Sequence, residues 1–124
     1  MALNGNHISI RVVSKRRERG AIVAAADETV IDCDRSNPVL GNRHYFRDHN
    51  DNNARAEVIA ANKRDFDADV ARNGPMSKAI DDIVARVLKG ERIALRCWCA
   101  PRPCHCDTYV AEIRRRCDAV QRFG

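Results

Sequence analysis

Four cysteines fall within ten residues, at Cys97, Cys99, Cys104 and Cys106, with Trp98 inside the group and His105 between the last two. Sulfur and imidazole at this density point to three kinds of chemistry. Cys97, Cys99, Cys104 and Cys106 are enough ligands for a tetrahedral zinc ion. Alternate residues of a strand share a face, so Cys97 and Cys99 can point together. The spacing nonetheless departs from the common Cys-x-x-Cys knuckle, and no cofactor is required, with zinc as the alternative. An enzyme would use Asp107 and His105 with one thiolate as acid, base or nucleophile. A cysteine at a helix start has a lowered pKa in principle. Anion binding is the third chemistry. A helix start offers unpaired N–H groups and the positive end of a dipole, and Arg102 and His105 stand beside this one.

These residues need a strand, a tight loop and a helix to hold them. Arg92–Cys97 alternates charge with apolar bulk, as a short strand does. Lys89-Gly90 before it is a helix stop. Pro101 and Pro103 forbid regular pairing. Tyr109, Val110 and Ile113 then recur at helical spacing, so a basic helix should run from about Cys104 to about Val120.

Upstream, residues 1–6 read as disordered. His7–Val13 is a first strand, Lys15–Gly20 a basic turn, and Ala21–Ala26 either a strand or a helical turn. Glu28–Cys33 is a second strand. Asp34–Asn42 is turn chemistry throughout. His44, Tyr45, Phe46, Arg47 and His49 follow. They either stack on a base and hold a phosphate, or cap the core with Tyr45 and Phe46. Asp51–Arg72 is a helix with Asn50 or Asp51 as cap and a rough apolar stripe of Ala54, Val58, Ala61, Phe66 and Val70. Asn73-Gly74-Pro75 ends it. Ser77 caps a second helix reaching Leu88, with Ile80, Ile83, Val84, Val87 and Leu88 inward. The pattern is a single α/β domain over residues 1–124, a small two- or three-layer Rossmann-like unit. It has a three- or four-stranded sheet and about three helices. Cys33, Cys117 and Trp98 read as core.

The 124 residues carry a formal charge of +5, which favours an anionic partner. The charge is dispersed over Lys15-Arg16-Arg17, Lys63-Arg64 and Arg114-Arg115-Arg116, and such runs are usually solvated faces. No apolar run is long enough to cross a bilayer, and no secretory leader is visible. A cytoplasmic location follows, with reduced thiols rather than disulfides. A small sheet leaves an edge open, so a homo-oligomer is possible.

Three pieces carry a resemblance. They are Ile10-Arg11-Val12-Val13, the Gly41-Asn42 pair after a proline-containing turn, and Cys97-Trp98-Cys99-Ala100-Pro101 followed by Cys104-His105 and Asp107. Together they resemble the DUF4326 family of small bacterial and phage proteins, over roughly residues 8–115. Family members usually have Gly-Asn-Pro-Phe, whereas Arg43-His44-Tyr45 here separates Asn42 from Phe46. They usually have Cys-His-Gly-Asp, whereas Cys106 here replaces the glycine. The resemblance implies a small α/β domain with a ligand site at strand ends.

The expected role is therefore a pocket for a small phosphate-bearing nucleotide, such as an ADP-ribose derivative. Arg11, Gly41, Asn42, Tyr45, Arg47, Trp98, Arg102, Cys104 and His105 are the candidate contacts, with Trp98 or Tyr45 stacking on a base. A compact phage-type protein of this kind would sequester a nucleotide signal of host defence. Cleavage of the nucleotide in the same pocket is the alternative. A zinc-stabilised module and nucleic-acid binding through Arg114–Arg122 are further ones.

Overall fold

A computed structural model describes residues 8–17 and 19–123. The expected disorder of residues 1–6, and the start of the first strand at His7, lie outside them. Strands β1 (Ile10–Ser14), β2 (Thr29–Asp32) and β3 (Ile93–Cys97) form one sheet, and helices α1 (Asn52–Ala71), α2 (Pro75–Leu88) and α3 (His105–Phe123) accompany it. The sheet has the order β1-β3-β2 and is parallel throughout. This is the small α/β domain expected from the sequence.

Register assigns each face its chemistry. Ile10 pairs with Ile93, and Val12 and Ile31 both pair with Leu95. Their side chains share one face, because strand residues alternate. That face joins the core with Ile80, Ile83, Val84, Val87, Tyr109 and Ile113. Helix α3 lies against β1 and β3, and α1 and α2 pack on α3. At the alternate positions Val13 and Ala94 are buried, while Arg11, Asp32 and Arg96 carry charge. Arg96 makes two hydrogen bonds to Asp32, at 2.7 and 3.1 Å. Arg11 makes two to Glu28, at 2.8 and 2.6 Å, and holds that carboxyl down at about 2. The alternation of charge with bulk in Arg92–Cys97 is thus one apolar face and one mixed face that carries the ion pairs.

Residues 21–26 form neither a strand nor a helical turn. They are tied to β1 instead: Ser14 N–H donates to the Ile22 carbonyl at 2.6 Å and Arg11 donates to that of Val23 at 3.2 Å. Gly90, with φ +97°, turns the chain out of α2 into β3, a conformation that costs glycine little.

Helix α1 does not bury the expected stripe. Its buried residues are Arg55, Asn62, Phe66 and Asp69, so of the apolar five only Phe66 is fully inside. The four share a face at helical spacing, and each polar member meets a polar partner. Asn62 donates to the Tyr109 hydroxyl at 3.1 Å, which donates to the Leu40 carbonyl at 2.9 Å. Asp69 accepts from the amides of Ser77 at 2.7 Å and Met76 at 3.2 Å.

The last contact corrects the expected cap of α2. The helix starts at Pro75, not after Ser77, and its N-cap is Gly74, which has no side chain to offer. Proline suits the first helical position because its missing N–H would be unpaired there anyway. Asp69 reaches across from α1 and satisfies the amides a cap would take. A Cβ on Gly74 would lie 2.4 Å from Asp69 Oδ2, so glycine leaves room for that reach. Asp69→Ala is expected to cost about 2 kcal/mol, the upper range for a lost cap. Urea unfolding measures it, and Asp69→Asn, which keeps one acceptor, should lose less.

Helix α3 begins at His105, one residue after the expected start, and continues past Val120 to Phe123. Its arginines are engaged within the chain. Arg114 donates to the Ile10 carbonyl, Arg115 pairs with Glu112, and Arg116 reaches Glu112, Asp81 and Ser77. No helix of the described residues is long and apolar enough to cross a membrane.

Candidate functional site

The parallel strands deliver their carboxyl ends to one edge. Cys97 ends β3, and its carbonyl accepts from Lys15 N–H at 2.7 Å, while Cys33 N–H donates to the Arg96 carbonyl at 2.8 Å. Beyond Cys97 the ladder stops and the chain turns at Trp98. The Ala100–Pro101 peptide is cis, and Arg102 N–H closes the turn on the Cys99 carbonyl at 2.8 Å. Helix α3 then starts with a reciprocal clamp. Asp107 accepts from Cys104 N–H at 2.9 Å, and Asp107 N–H donates to the Cys104 carbonyl at 3.0 Å. Burial raises the Asp107 carboxyl pKa.

This loop crowds sulfur. The thiol sulfurs of Cys97, Cys99 and Cys104 lie within 4.8 Å of one another, and Cys104 Sγ is 2.8 Å from Cys97 Sγ. A second group, Cys104, His105 and Cys106, meets the same limit. Cys104 is held well below the usual thiol range by hydrogen bonds with Cys106, then with Cys97 and Cys99. Cys99 and Cys106 are pushed up, each chiefly by its contact with Cys104. Cys97 is also lowered: its contact with Cys104 raises it, but those with Cys106 and Cys99 outweigh that. His105 has Nδ1 3.4 Å from Cys104 Sγ and Nε2 2.7 Å from the Cys33 carbonyl. Burial disfavours its protonation, but Cys104, the Cys33 carbonyl and Cys97 together outweigh burial and lift it to about 9.

Beside the sulfurs lies a cleft of about 330 Å³. Cys97, Cys99, Cys104 and His105 line it, together with Phe46, Arg55, Val58 and Ile59. Tyr45 and Trp98 also line it and are 65% and 53% exposed. Trp98 is therefore not core, as its type suggested. Its Nε1 donates to Asp34 at 3.2 Å at the exposed rim of the cleft. Lys15 lies 5.5 Å from the Trp98 ring centre and Arg35 4.8 Å from that of Tyr45. Lys15 also bonds Asp34, and together with Ser36 holds that carboxyl far below its usual range.

Arg55 is the unusual member. It is only 4% exposed, and among the described residues no carboxylate pairs with it. Its terminal nitrogens donate to the His49 carbonyl at 2.7 Å and the Pro103 carbonyl at 3.3 Å. Its guanidinium lies 5.1 Å from the Phe46 ring centre, and its Nε has no partner.

Of the expected ligand contacts, Asn42, Tyr45, Trp98, Cys104 and His105 come together here. Asn42 also shapes the wall, donating to the Val58 carbonyl at 3.1 Å and accepting from His44 N–H at 2.8 Å. Gly41 lines two adjoining grooves instead. Arg11, Arg102 and Asp107 share a separate groove on the β1 side, so Asp107 and His105 do not face the same cavity. Arg47 is exposed and outside the cleft. The sequence reading missed Arg55, Asp34 and Arg35. For Arg55 a signal existed, since residues 55, 62 and 69 recur every seven, but their polarity made that row look like a solvated face.

The fold and site define a small parallel α/β domain with a sulfur-rich cleft at its strand ends. The chain belongs to the DUF4326 family, a domain of unknown function, whose sequence model matches residues 13–115. No curated protein and no solved structure matches the chain.

Proposed function

We propose that the cleft binds a small anionic ligand of nucleotide type. The observation that carries this reading is Arg55, a buried cation lining the cavity with which no carboxylate pairs among the described residues; Asp34, also on the wall, is paired with Lys15 instead. A charge out of water needs a counter-charge, and a ligand anion supplies it. Tyr45 and Trp98 support the nucleotide class, because a planar base gains about 1–3 kcal/mol by stacking on such a ring. The volume is at the small end of ligand pockets, about 300–1,000 Å³ in general, and suits one nucleotide or part of a larger one. An ADP-ribose derivative remains the expected type, held out of circulation rather than turned over.

Titration calorimetry with ADP-ribose, AMP, adenosine and inorganic phosphate tests this. The phosphate-bearing nucleotides should bind at least about tenfold more tightly than adenosine, a difference of about 1.4 kcal/mol. No heat from any of them up to about 1 mM would overturn the reading. A second reading, cleavage of the bound nucleotide, is favoured by the contact of Cys104 with His105 at the cleft wall. Chromatography of the ligand after incubation separates the two: unchanged ligand means binding alone.

A further inference from the structure

We propose that Cys97, Cys99 and Cys104 bind one thiophilic metal ion, zinc by its chemistry, with the fourth coordination position open to the cleft. The three sulfurs already lie within 4.8 Å of one another. Zinc–sulfur bonds of about 2.3 Å in a tetrahedron place sulfurs about 3.8 Å apart, so small side-chain movements seat the ion. The 2.8 Å between Cys97 and Cys104 must open, and the ion between them would open it. The backbone is built for this arrangement. Cys97 closes β3, Cys99 follows on the turn, and Cys104 is clamped by Asp107 at the start of α3. Cys99 N–H also lies 3.5 Å from Cys97 Sγ, a donor to a sulfur that carries charge.

The other group, Cys104, His105 and Cys106, fits less well. His105 Nε2 is committed to the Cys33 carbonyl at 2.7 Å, and it is this nitrogen that Cys106 Sγ approaches, at 3.9 Å. A metal held between Cys106 and that nitrogen would break the bond to Cys33. With Cys97, Cys99 and Cys104 as ligands, His105 is a positioning residue: its ring lies against Cys104 Sγ and is anchored at its far side. All three ligand cysteines line the cleft, so the fourth position faces it. Structural zinc sites are closed, whereas three protein ligands with an open position is the arrangement of a catalytic or ligand-binding ion. Binding Zn²⁺ displaces to solvent whatever protons remain on the three sulfurs and leaves a unit of net charge −1 before the fourth ligand enters.

The test uses the full chain and the metal alone. Purified protein, stripped by chelator under reductant and reloaded with Co²⁺, should take one ion per chain. It should show thiolate-to-cobalt charge transfer and the visible bands of a tetrahedral ion. Azide should shift the visible bands, since the fourth position is open. Cys99→Ser should lower affinity at least tenfold, while Cys106→Ser and Cys117→Ser keep it. Absence of metal uptake by the reduced wild-type chain overturns the proposal. Visible bands unmoved by azide, or metal lost in Cys106→Ser but kept in Cys99→Ser, would overturn the ligand set. No nucleotide enters this experiment, so its failure and that of the nucleotide reading are distinguishable.

Discussion

Arg55→Leu is expected to abolish nucleotide binding and to lower stability by about 3 kcal/mol. Two effects add. The guanidinium ties the His49 carbonyl, just before α1, to the Pro103 carbonyl, just before α3. Hydrogen bonds to charged groups contribute about 1.5–3 kcal/mol each; losing them leaves the Pro103 carbonyl unpaired and the His49 carbonyl with Arg102 alone, at 2.9 Å. Leucine keeps some packing on Phe46, so the loss stays below the sum. The charge itself is what would attract the anion. Arg55→Lys keeps the charge, but an ammonium cannot span both carbonyls with a planar fork. Lysine should therefore retain part of the binding and less of the stability. Denaturant unfolding with calorimetry reads both quantities. Full binding by a destabilised Arg55→Leu would show that Arg55 is a brace between two loops and nothing more.

Gly41→Ala is expected to cost about 3 kcal/mol and to disturb the Trp98 side of the cleft. A Cβ at residue 41 would lie 2.4 Å from the Asp34 carbonyl oxygen and 2.6 Å from that of Asn37. Both obstacles are backbone and cannot rotate away. The loop is also tightly closed. Asn37 N–H donates to the Asp34 carbonyl at 2.9 Å and Gly41 N–H to the Asn37 carbonyl at 3.0 Å. The Asn37 side chain accepts from Val39 at 2.9 Å and Leu40 at 2.8 Å, and donates to the Asp32 carbonyl at 3.1 Å. To admit one methyl group, Asp34 must shift, and Asp34 holds both Trp98 Nε1 and Lys15. A melting curve within error of the parent would refute the close packing of this loop. The glycine of the Gly41-Asn42 pair is thus required by crowding rather than by a left-handed backbone.

The three strands, the three helices and the place of the cleft could be read from the sequence, because they rest on local signals. Lys89-Gly90 stops a helix, Pro101 and Pro103 end a strand, and Asn73-Gly74-Pro75 separates two helices. Helix α2 was legible because its inner row of Ile80, Ile83, Val84 and Val87 is apolar and periodic. Helix α1 was not. Its buried Arg55, Asn62 and Asp69 have partners outside the helix, among them Pro103, Tyr109 and Ser77, which are 48, 47 and 8 residues away. Trp98 was misplaced for a similar reason, since its anchor, Asp34, is 64 residues away. Arg11 looked like a ligand contact because its partner Glu28 could not be seen across the sheet. That Cys97 and Cys99 point together was expected from strand alternation, although Cys99 lies past the end of β3; the separation of Asp107 from His105 depends on the clamp at the start of α3.

The polar underside of α1 has a mechanical consequence. A helix seated by leucines alone can ratchet along its neighbours with modest loss, because one greasy contact replaces another. Sliding α1 by a single turn would strip Asn62 from Tyr109, Asp69 from the α2 amides and Arg55 from its two carbonyls at once, and an unmet polar group in a dry interior is costly. The gap between α1 and the cysteine loop therefore behaves as a jaw of fixed gauge, set before anything enters it.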